Sequence, residues 1–465
     1  MQDFFCVLHM LKQHKLGYTR TKNELLGERA MEQRIIALGL RIRKWSFFRI
    51  IQRTFAVLFP FILLGSFAQV IEFSLLHPDG YLGNLIQISK WLPHYRAANQ
   101  LFGSIYMLTA GVIALLAAGV SAKYTAQFFK RDEQLAGLTG LLVFLAICYQ
   151  RTTGNNGQFN FRLDLLGFPG LILGLAVGYC VGWVFKYLSG PTIKGTEHGQ
   201  ELLSRSFKGL LPLTFTLLFA VVCNILLGLL FKYQIFEGVG SWLQGQATKQ
   251  SGFWPVMFFA SITLLLAWLG LSGPYTGNTF DSDQSALKNL SYALSHNDLA
   301  KVPEKFNANT LYFSYGAIGG TGATLGLVLA IFLVAKRQNT RKLANWTVIP
   351  SMFNTNVAFM IGLPVLFNPF YLLPFLVIPL FNMVIGGLAL LCGLVPPAVY
   401  PVLTTTPGVL YAFIGTNGSW GVLIFTFGLL LCDILLYIPF VRFAEKIAGA
   451  LDNDCKRAGE LNEDQ

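Results

Sequence analysis

The sequence predicts an all-α integral membrane protein with about ten transmembrane helices and one or two re-entrant elements. Three observations carry that expectation. The 465 residues are 54% hydrophobic and only 12% charged, against roughly a quarter charged in ordinary soluble domains. Apolar runs of about 18 residues or more, the length that carries a helix through a bilayer core, recur along the chain. Two further apolar stretches are broken by Pro and Asn, which a plain span does not carry.

Taken in order, the first half holds apolar runs at residues 55–76, 105–122, 165–187 and 210–231. The second half holds 254–271, 311–335, 370–394 and 421–440, and the shorter run 134–149 can add a span. Residues 353–367 and 400–413 are too short or too interrupted to be ordinary spans. They are expected to sit inside protein or against a wet cavity, since lipid leaves no partner for a broken backbone.

The two halves join near the polar segment 241–252. A hydrophilic connection, SGPTIKGTEHGQELLSRSFKG, precedes the last run of the first half, and the polar stretch 277–309 is expected outside the membrane. These features divide the chain into an arm at 1–47, membrane halves at 48–250 and 251–445, and a tail at 446–465. No fixed-period repeat, heptad pattern or low-complexity tract is visible.

Orientation follows from the placement of lysine and arginine in short loops. The arm holds nine of them between Lys12 and Lys44, and KRQNTRK at 336–342 is the densest cluster between spans. Both termini and that loop are therefore expected on the cytoplasmic side. The net charge of +12 fits this rule and anionic lipid headgroups better than nucleic acid, for which no motif is present. No signal peptide precedes the first run. Within the arm, RAMEQRIIALGLRIRKWSFFRII spaces apolar residues helically among basic ones, as an amphipathic helix on the inner leaflet would, although it can equally serve to orient the first span.

Seven cysteines are scattered without a CxxC pair and read as small buried hydrophobes. All six histidines lie in arms or loops, so no intramembrane histidine offers a proton relay or a metal ligand. No cofactor is expected.

The stretch FNTNVAFMIGLPVLFNP at 353–369 is the most informative. Asn354, Asn356 and Asn368 each bring an acceptor and two donors, the equipment that grips a neutral polyhydroxylated ligand. A broken element at membrane depth carrying amides is where transporters hold substrate. The alternative is that these amides cap helix ends opened by the prolines. Asp433, in LLLCDILLY, is the carboxylate deepest in an apolar run. It has either a polar role toward substrate or proton, or a packing role through a buried hydrogen bond.

This stretch resembles the signature of the enzyme IIC permeases of the bacterial phosphoenolpyruvate-dependent sugar phosphotransferase system, in the lactose/cellobiose/chitobiose branch. Phe353, Asn354, Asn356, Gly362, Leu363, Pro364, Val365, Asn368 and Pro369 match, followed by Pro374 and Phe375. Agreement extends to PFILLGSF at 60–67, LDLLGFPGL at 163–171, GAIGGTGATLGL at 316–327 and YIPF at 437–440. The resemblance covers roughly residues 48 to 445. It implies an N-terminal dimer-interface half and a C-terminal transport half with two re-entrant hairpins. It also implies a disaccharide bound near the midplane through Asn354, Asn356, Ser272, Gly273 and Asn368. A homodimer in the bacterial cytoplasmic membrane and a separate IIB phosphotransfer protein follow from it as well.

Two departures qualify this. Where the family has a carboxylate, this chain has Val357, and where the family has the histidine of a G-I-H-G motif it has Ser272, in Gly270–Leu271–Ser272–Gly273. A carboxylate or imidazole orients the sugar hydroxyl and accepts its proton, which valine cannot do and serine does poorly. No catalytic residue is therefore assigned. The expected function is a sugar permease with phosphorylation coupling impaired or absent. The alternatives are a degenerate permease acting as a sugar sensor through a cytoplasmic partner, or a scaffold kept for interaction alone.

Overall fold

The computed structural model describes residues 45–151, 159–190, 199–232, 235–277, 280, 283–296 and 298–463. Most of the basic arm and much of the hydrophilic connection before residue 209 lie outside the described residues. The chain divides into one unit of Met1–Arg49 with Ile447–Gln465 and a second unit, Ile50–Lys446. The second unit is considered below.

The chain is built almost entirely from helices. Helix α1 (Ser46–Gln69) runs into a π-helical turn at Val70–Leu76, followed by the short α2 (Tyr81–Ile86) and α3 (Ile88–Trp91). Next come α4 (Tyr95–Thr109), α5 (Ile113–Phe128) and α6 (Glu133–Cys148). The Asp132 carboxylate starts α6 by accepting from the N–H groups of Gln134 and Leu135 at 3.1 and 3.0 Å. A small antiparallel pair, β1 (Tyr149–Arg151) and β2 (Phe159–Phe161), places Gln150 opposite Asn160. Helices α7 (Leu163–Leu166), α8 (Leu171–Leu188), α9 (Gly199–Lys232) and α10 (Ile235–Lys249) complete this half.

Helices α5, α6 and α8 pack with their backbones nearly touching. Gly174, Gly178 and Gly182 recur every fourth residue on one face of α8, against Ala114, Ala118 and Thr125 of α5. Small residues at this spacing let helices approach closely where lipid supplies no hydrophobic drive between them. Ser121 adds a hydrogen bond across the seam, its hydroxyl donating to the Leu175 carbonyl at 3.0 Å.

The second half consists of α11 (Phe253–Trp268), α12 (Gln284–His296), a π-helical segment at Asn309–Gly316, α13 (Thr324–Val334) and α14 (Gln338–Met352). Then follow α15 (Val357–Gly362), α16 (Pro369–Leu391), α17 (Gly408–Gly415) and α18 (Trp420–Glu463). Residues 311–335, expected as one continuous span, are two pieces joined by the turn at 317–323. Gly320 and Gly322 have φ of 99° and 90°, a region that a residue with a Cβ rarely enters. The stretch is apolar enough for a span, but its backbone cannot remain helical there.

Six stretches among the described residues are long and apolar enough to cross a membrane: Ser46–Ile86, Tyr95–Phe128, Phe168–Leu188, Phe207–Gly228, Pro369–Leu391 and Trp420–Gly449. Glu133–Cys148, Phe253–Trp268 and Thr324–Val334 are apolar but shorter. Large apolar side chains such as Phe207, Leu218, Trp254 and Ile424 face outward on several of these helices, as a surface bathed in lipid requires. Among the described residues, the largest buried apolar cluster runs from Ile51 and Phe55 of α1 through Leu264, Tyr312, Phe359 and Phe375 to Tyr437 and Val441 of α18, with smaller clusters beside it.

Candidate functional site

The segment 353–369 folds as a helix end, a six-residue helix and a turn, and its three asparagines do three different things. Asn354 follows the end of α14 with φ of 61°, the left-handed conformation that closes many helices and that asparagine tolerates. Its N–H donates to the Ser351 carbonyl at 3.1 Å, and the Thr355 N–H donates to Pro350 at 2.9 Å. The side chain then turns away from the helix. Its Nδ2 donates to the Thr406 carbonyl at 3.0 Å, while its Oδ1 is buried with no partner among the described residues.

Asn356 sits at the start of α15 without capping it. Its Nδ2 donates to the Thr321 carbonyl at 2.9 Å and to the Thr324 hydroxyl at 3.2 Å, fastening the signature to the glycine turn. That close approach uses the missing Cβ of Gly320, where an added carbon would lie 2.8 Å from the Asn356 amide nitrogen. Asn368 caps α16, its Oδ1 accepting from the Phe370 N–H at 3.2 Å, and its carbonyl accepts from Trp268 Nε1, also at 3.2 Å.

A cavity of about 210 Å³ opens beside Asn354. One wall is aromatic. The Tyr275 ring lies 5.0 Å from Tyr312 and 6.2 Å from Phe313, and Phe313 lies 6.1 Å from Tyr411. The polar lining includes Asp283, Asn309, Thr321 and Asn354. Tyr411 donates its hydroxyl to Asn309 Oδ1 at 2.9 Å, and Asn309 Nδ2 donates to the Ala398 carbonyl at 3.0 Å. Tyr275 is 2% exposed, and its hydroxyl has no partner among the described residues. Asn309, Tyr312 and Phe313 come from the π-helical segment, a form of turn often found at functional sites.

Asp283 is the charged residue in this lining, which contains no lysine, arginine or histidine among the described residues. Its Oδ1 accepts from the N–H groups of Ser285 and Ala286 at 2.9 and 3.1 Å and so starts α12. Burial pushes the carboxyl above the usual carboxylate range, and backbone N–H groups of Ala286, Ser285 and Asn309 partly oppose that. The sequence reading placed Asp283 in a polar connection. Only its position just before the helix, as an N-cap, marked it locally.

Of the expected substrate-binding residues, Asn354 lines the cavity, while Asn356, Asn368, Ser272 and Gly273 are not in its lining. Ser272 is exposed. The Gly273 N–H donates to the Thr276 hydroxyl at 2.9 Å, so its loop reaches the cavity through Tyr275 and Thr276. Val357 is a partly buried aliphatic residue at the start of α15. Asp433 is fully buried and lies against Gly326 of α13, away from the cavity lining. Its Oδ2 accepts from Asn382 Nδ2 at 3.1 Å. One turn further along, the Tyr437 hydroxyl donates to the Gly322 carbonyl at 2.6 Å, holding α18 to the glycine turn.

This arrangement suits a neutral ligand with ring faces and several hydroxyls. Aromatic rings cover apolar faces, and the carboxylate and amide take up hydroxyl donors.

The chain is 23% identical to the oligo-beta-mannoside-specific EIIC component of Bacillus subtilis (strain 168), over 91% of this chain and 95% of that one. It is 24% identical to the lactose-specific EIICB component of Staphylococcus aureus (strain N315), over 72% of this chain and 60% of that one. A cellobiose-specific EIIC component of Lactococcus lactis is 34% identical over 29% of this chain and 27% of its own. The crystal structure of ChbC, the IIC component from the N,N'-diacetylchitobiose-specific phosphotransferase system, superposes with a TM-score of 0.42 at 19% identity, covering 91% of this chain and 99% of that one. The family described as "Phosphotransferase system, EIIC" matches residues 52–379, and the chain therefore belongs to the phosphotransferase-system EIIC family.

Proposed function

We propose that this protein is a multi-pass membrane permease that binds a β-linked disaccharide in the cavity beside Asn354 and moves it inward, with coupling to phosphorylation impaired or absent. One observation carries the reading. The signature asparagine lines a cavity that five aromatic side chains also line, and it carries a buried, unpartnered carbonyl. A sugar supplies what that carbonyl lacks, since each hydroxyl can donate. The named specificities of the relatives, oligo-beta-mannoside, lactose and cellobiose, support the disaccharide class.

Weakened coupling rests on Val357 and Ser272. Neither holds a base near neutral pH, so the transfer chemistry lacks the groups that orient and deprotonate a hydroxyl. The same two residues favour a second reading, a sugar sensor acting through a cytoplasmic partner. The proposal keeps about ten spans with two re-entrant hairpins, a homodimer built on the N-terminal half, cytoplasmic termini and a separate IIB protein.

Uptake of radiolabelled β-linked disaccharides into liposomes, with and without a phosphorylated IIB protein, tests this. Free sugar inside the vesicles is the expected result. Phosphorylated sugar would overturn the impaired coupling, and binding without flux would favour the sensor.

A further inference from the structure

Val357 is aliphatic and outside the lining, so a carboxylate acceptor for the cavity has to come from elsewhere. Asp433 does not fill that need, since it is enclosed between Asn382 and Gly326 and absent from the lining. Asp283 does line it. Its carboxylate is held by the N–H groups of Ser285 and Ala286 on Oδ1 and also bonded by the Asn309 backbone N–H, and it is 7% exposed, so it presents its remaining acceptor positions without rotamer freedom to lose. Tyr275, also in the lining, brings a buried hydroxyl with no partner, and Asn354 brings a buried carbonyl oxygen with none. Unpartnered polar atoms in a closed space are costly unless something enters to bond them.

We propose that Asp283 is the specificity-determining residue of this site, accepting a hydroxyl of the bound sugar and excluding anionic, phosphorylated sugars. The inference rests on the permease reading above. Exclusion follows from charge. The lining holds one carboxylate and no basic side chain among the described residues, so a phosphate entering it meets like charge with no compensating cation, which costs far more in a desolvated site than in water.

The test uses the full-length protein in detergent or nanodiscs and measures equilibrium binding of cellobiose, its monodeoxy analogues and cellobiose 6-phosphate. Asp283→Asn is the main variant, since asparagine caps a helix about as well as aspartate and keeps the fold. A charge-assisted hydrogen bond lost is expected to weaken binding by about 10- to 100-fold. Wild-type protein is therefore expected to lose about that factor for one deoxy position. Asp283→Asn should lose it for cellobiose and show no further loss for that same analogue. The phosphorylated sugar is expected to bind wild type at least about 10-fold more weakly than cellobiose, with the gap narrowed in the variant.

Equal affinities in wild type and Asp283→Asn, or a loss spread evenly over every analogue, would overturn the assignment while leaving the permease reading in place. If no sugar binds the wild type, the permease reading falls and the assignment falls with it. Melting temperatures of the two proteins distinguish a misfolded variant from a binding defect.

Discussion

Glycine is used in opposite ways in the two halves of the molecule. In α8, Gly174, Gly178 and Gly182 sit at helical spacing and stay helical, so their missing side chains bring the α5 backbone into contact. In the turn at 317–323, Gly320 and Gly322 lie two residues apart rather than at helical spacing, and their positive φ breaks a helix. The first pattern closes a seam between spans. The second interrupts a span and turns Thr321 and Gly320 toward a cavity. A close-packed seam and a separate, broken, cavity-forming element are the division of labour a transporter needs, because only the second region has to admit a ligand.

The largest expected effect lies in the seam. A Cβ at Gly178 would strike the Ala118 carbonyl and lie 2.8 Å from Ser121 Cβ, and neither a helical backbone nor a buried seam can retreat far. Gly178→Leu should cost at least about 3 kcal/mol, read as loss of a monodisperse peak and a lowered melting temperature. Gly428, in α18, has nothing within 4 Å of the same added atom. Gly428→Ala is therefore the control and should be neutral or slightly stabilising, by up to about 1 kcal/mol.

Next comes the turn. Gly322→Ala combines a left-handed φ with a clash against the Phe375 ring, and a cost of about 1–3 kcal/mol is expected from strain. Unlike the seam variant, it should also weaken sugar binding, because the turn carries Thr321 to the cavity. A folded Gly322→Ala protein with undiminished sugar affinity would remove the functional half of the comparison.

Two of the buried aspartates, Asp283 and Asp433, sharpen the same contrast. Asp433→Ala strands the Asn382 amide inside the protein and should cost about 1–3 kcal/mol of stability with sugar affinity unchanged. Asp283→Asn should do the reverse. Thermal shift and binding measured on the same samples separate the two outcomes.

Much of the membrane character was legible in the residues because hydropathy reports the solvent directly. The signature at 353–369 was legible as a broken element, since Pro364 and Asn354 are incompatible with a plain span. The break within 311–335 was hidden because glycine is compatible with both uses, and a windowed hydropathy sees only that the stretch is apolar. Asp283 was hidden for a different reason. Its value comes from sharing a cavity lining with residues distant in sequence, such as Asn354 and Tyr411, and locally it looks like any aspartate opening a polar helix. Asp433 drew notice for its apolar neighbours, but the structure gives it a partner in Asn382 and no place in the cavity lining.

The smallest expected effect is a pH dependence, and its sign follows from Asp283. Burial raises its carboxyl above the ordinary value while backbone N–H groups only partly offset this. In the empty protein the folded state thus holds the proton more tightly than the unfolded chain does. The associated stability is fully present below the ordinary aspartate range and is lost as pH rises through the raised folded value. Sugar binding should run the other way, since the ionised carboxylate is the stronger hydroxyl acceptor. The groups facing it are the hydroxyls of Tyr275 and Tyr411 and the backbone of Asn309, none of which ionises in the window where a raised carboxyl titrates. Affinity and melting temperature measured from mildly acidic to neutral pH should therefore move in opposite directions in wild type, and Asp283→Asn should flatten both curves. Opposed slopes that persist in the variant would assign the titration to a group outside the cavity and leave Asp283 only its role at the start of α12.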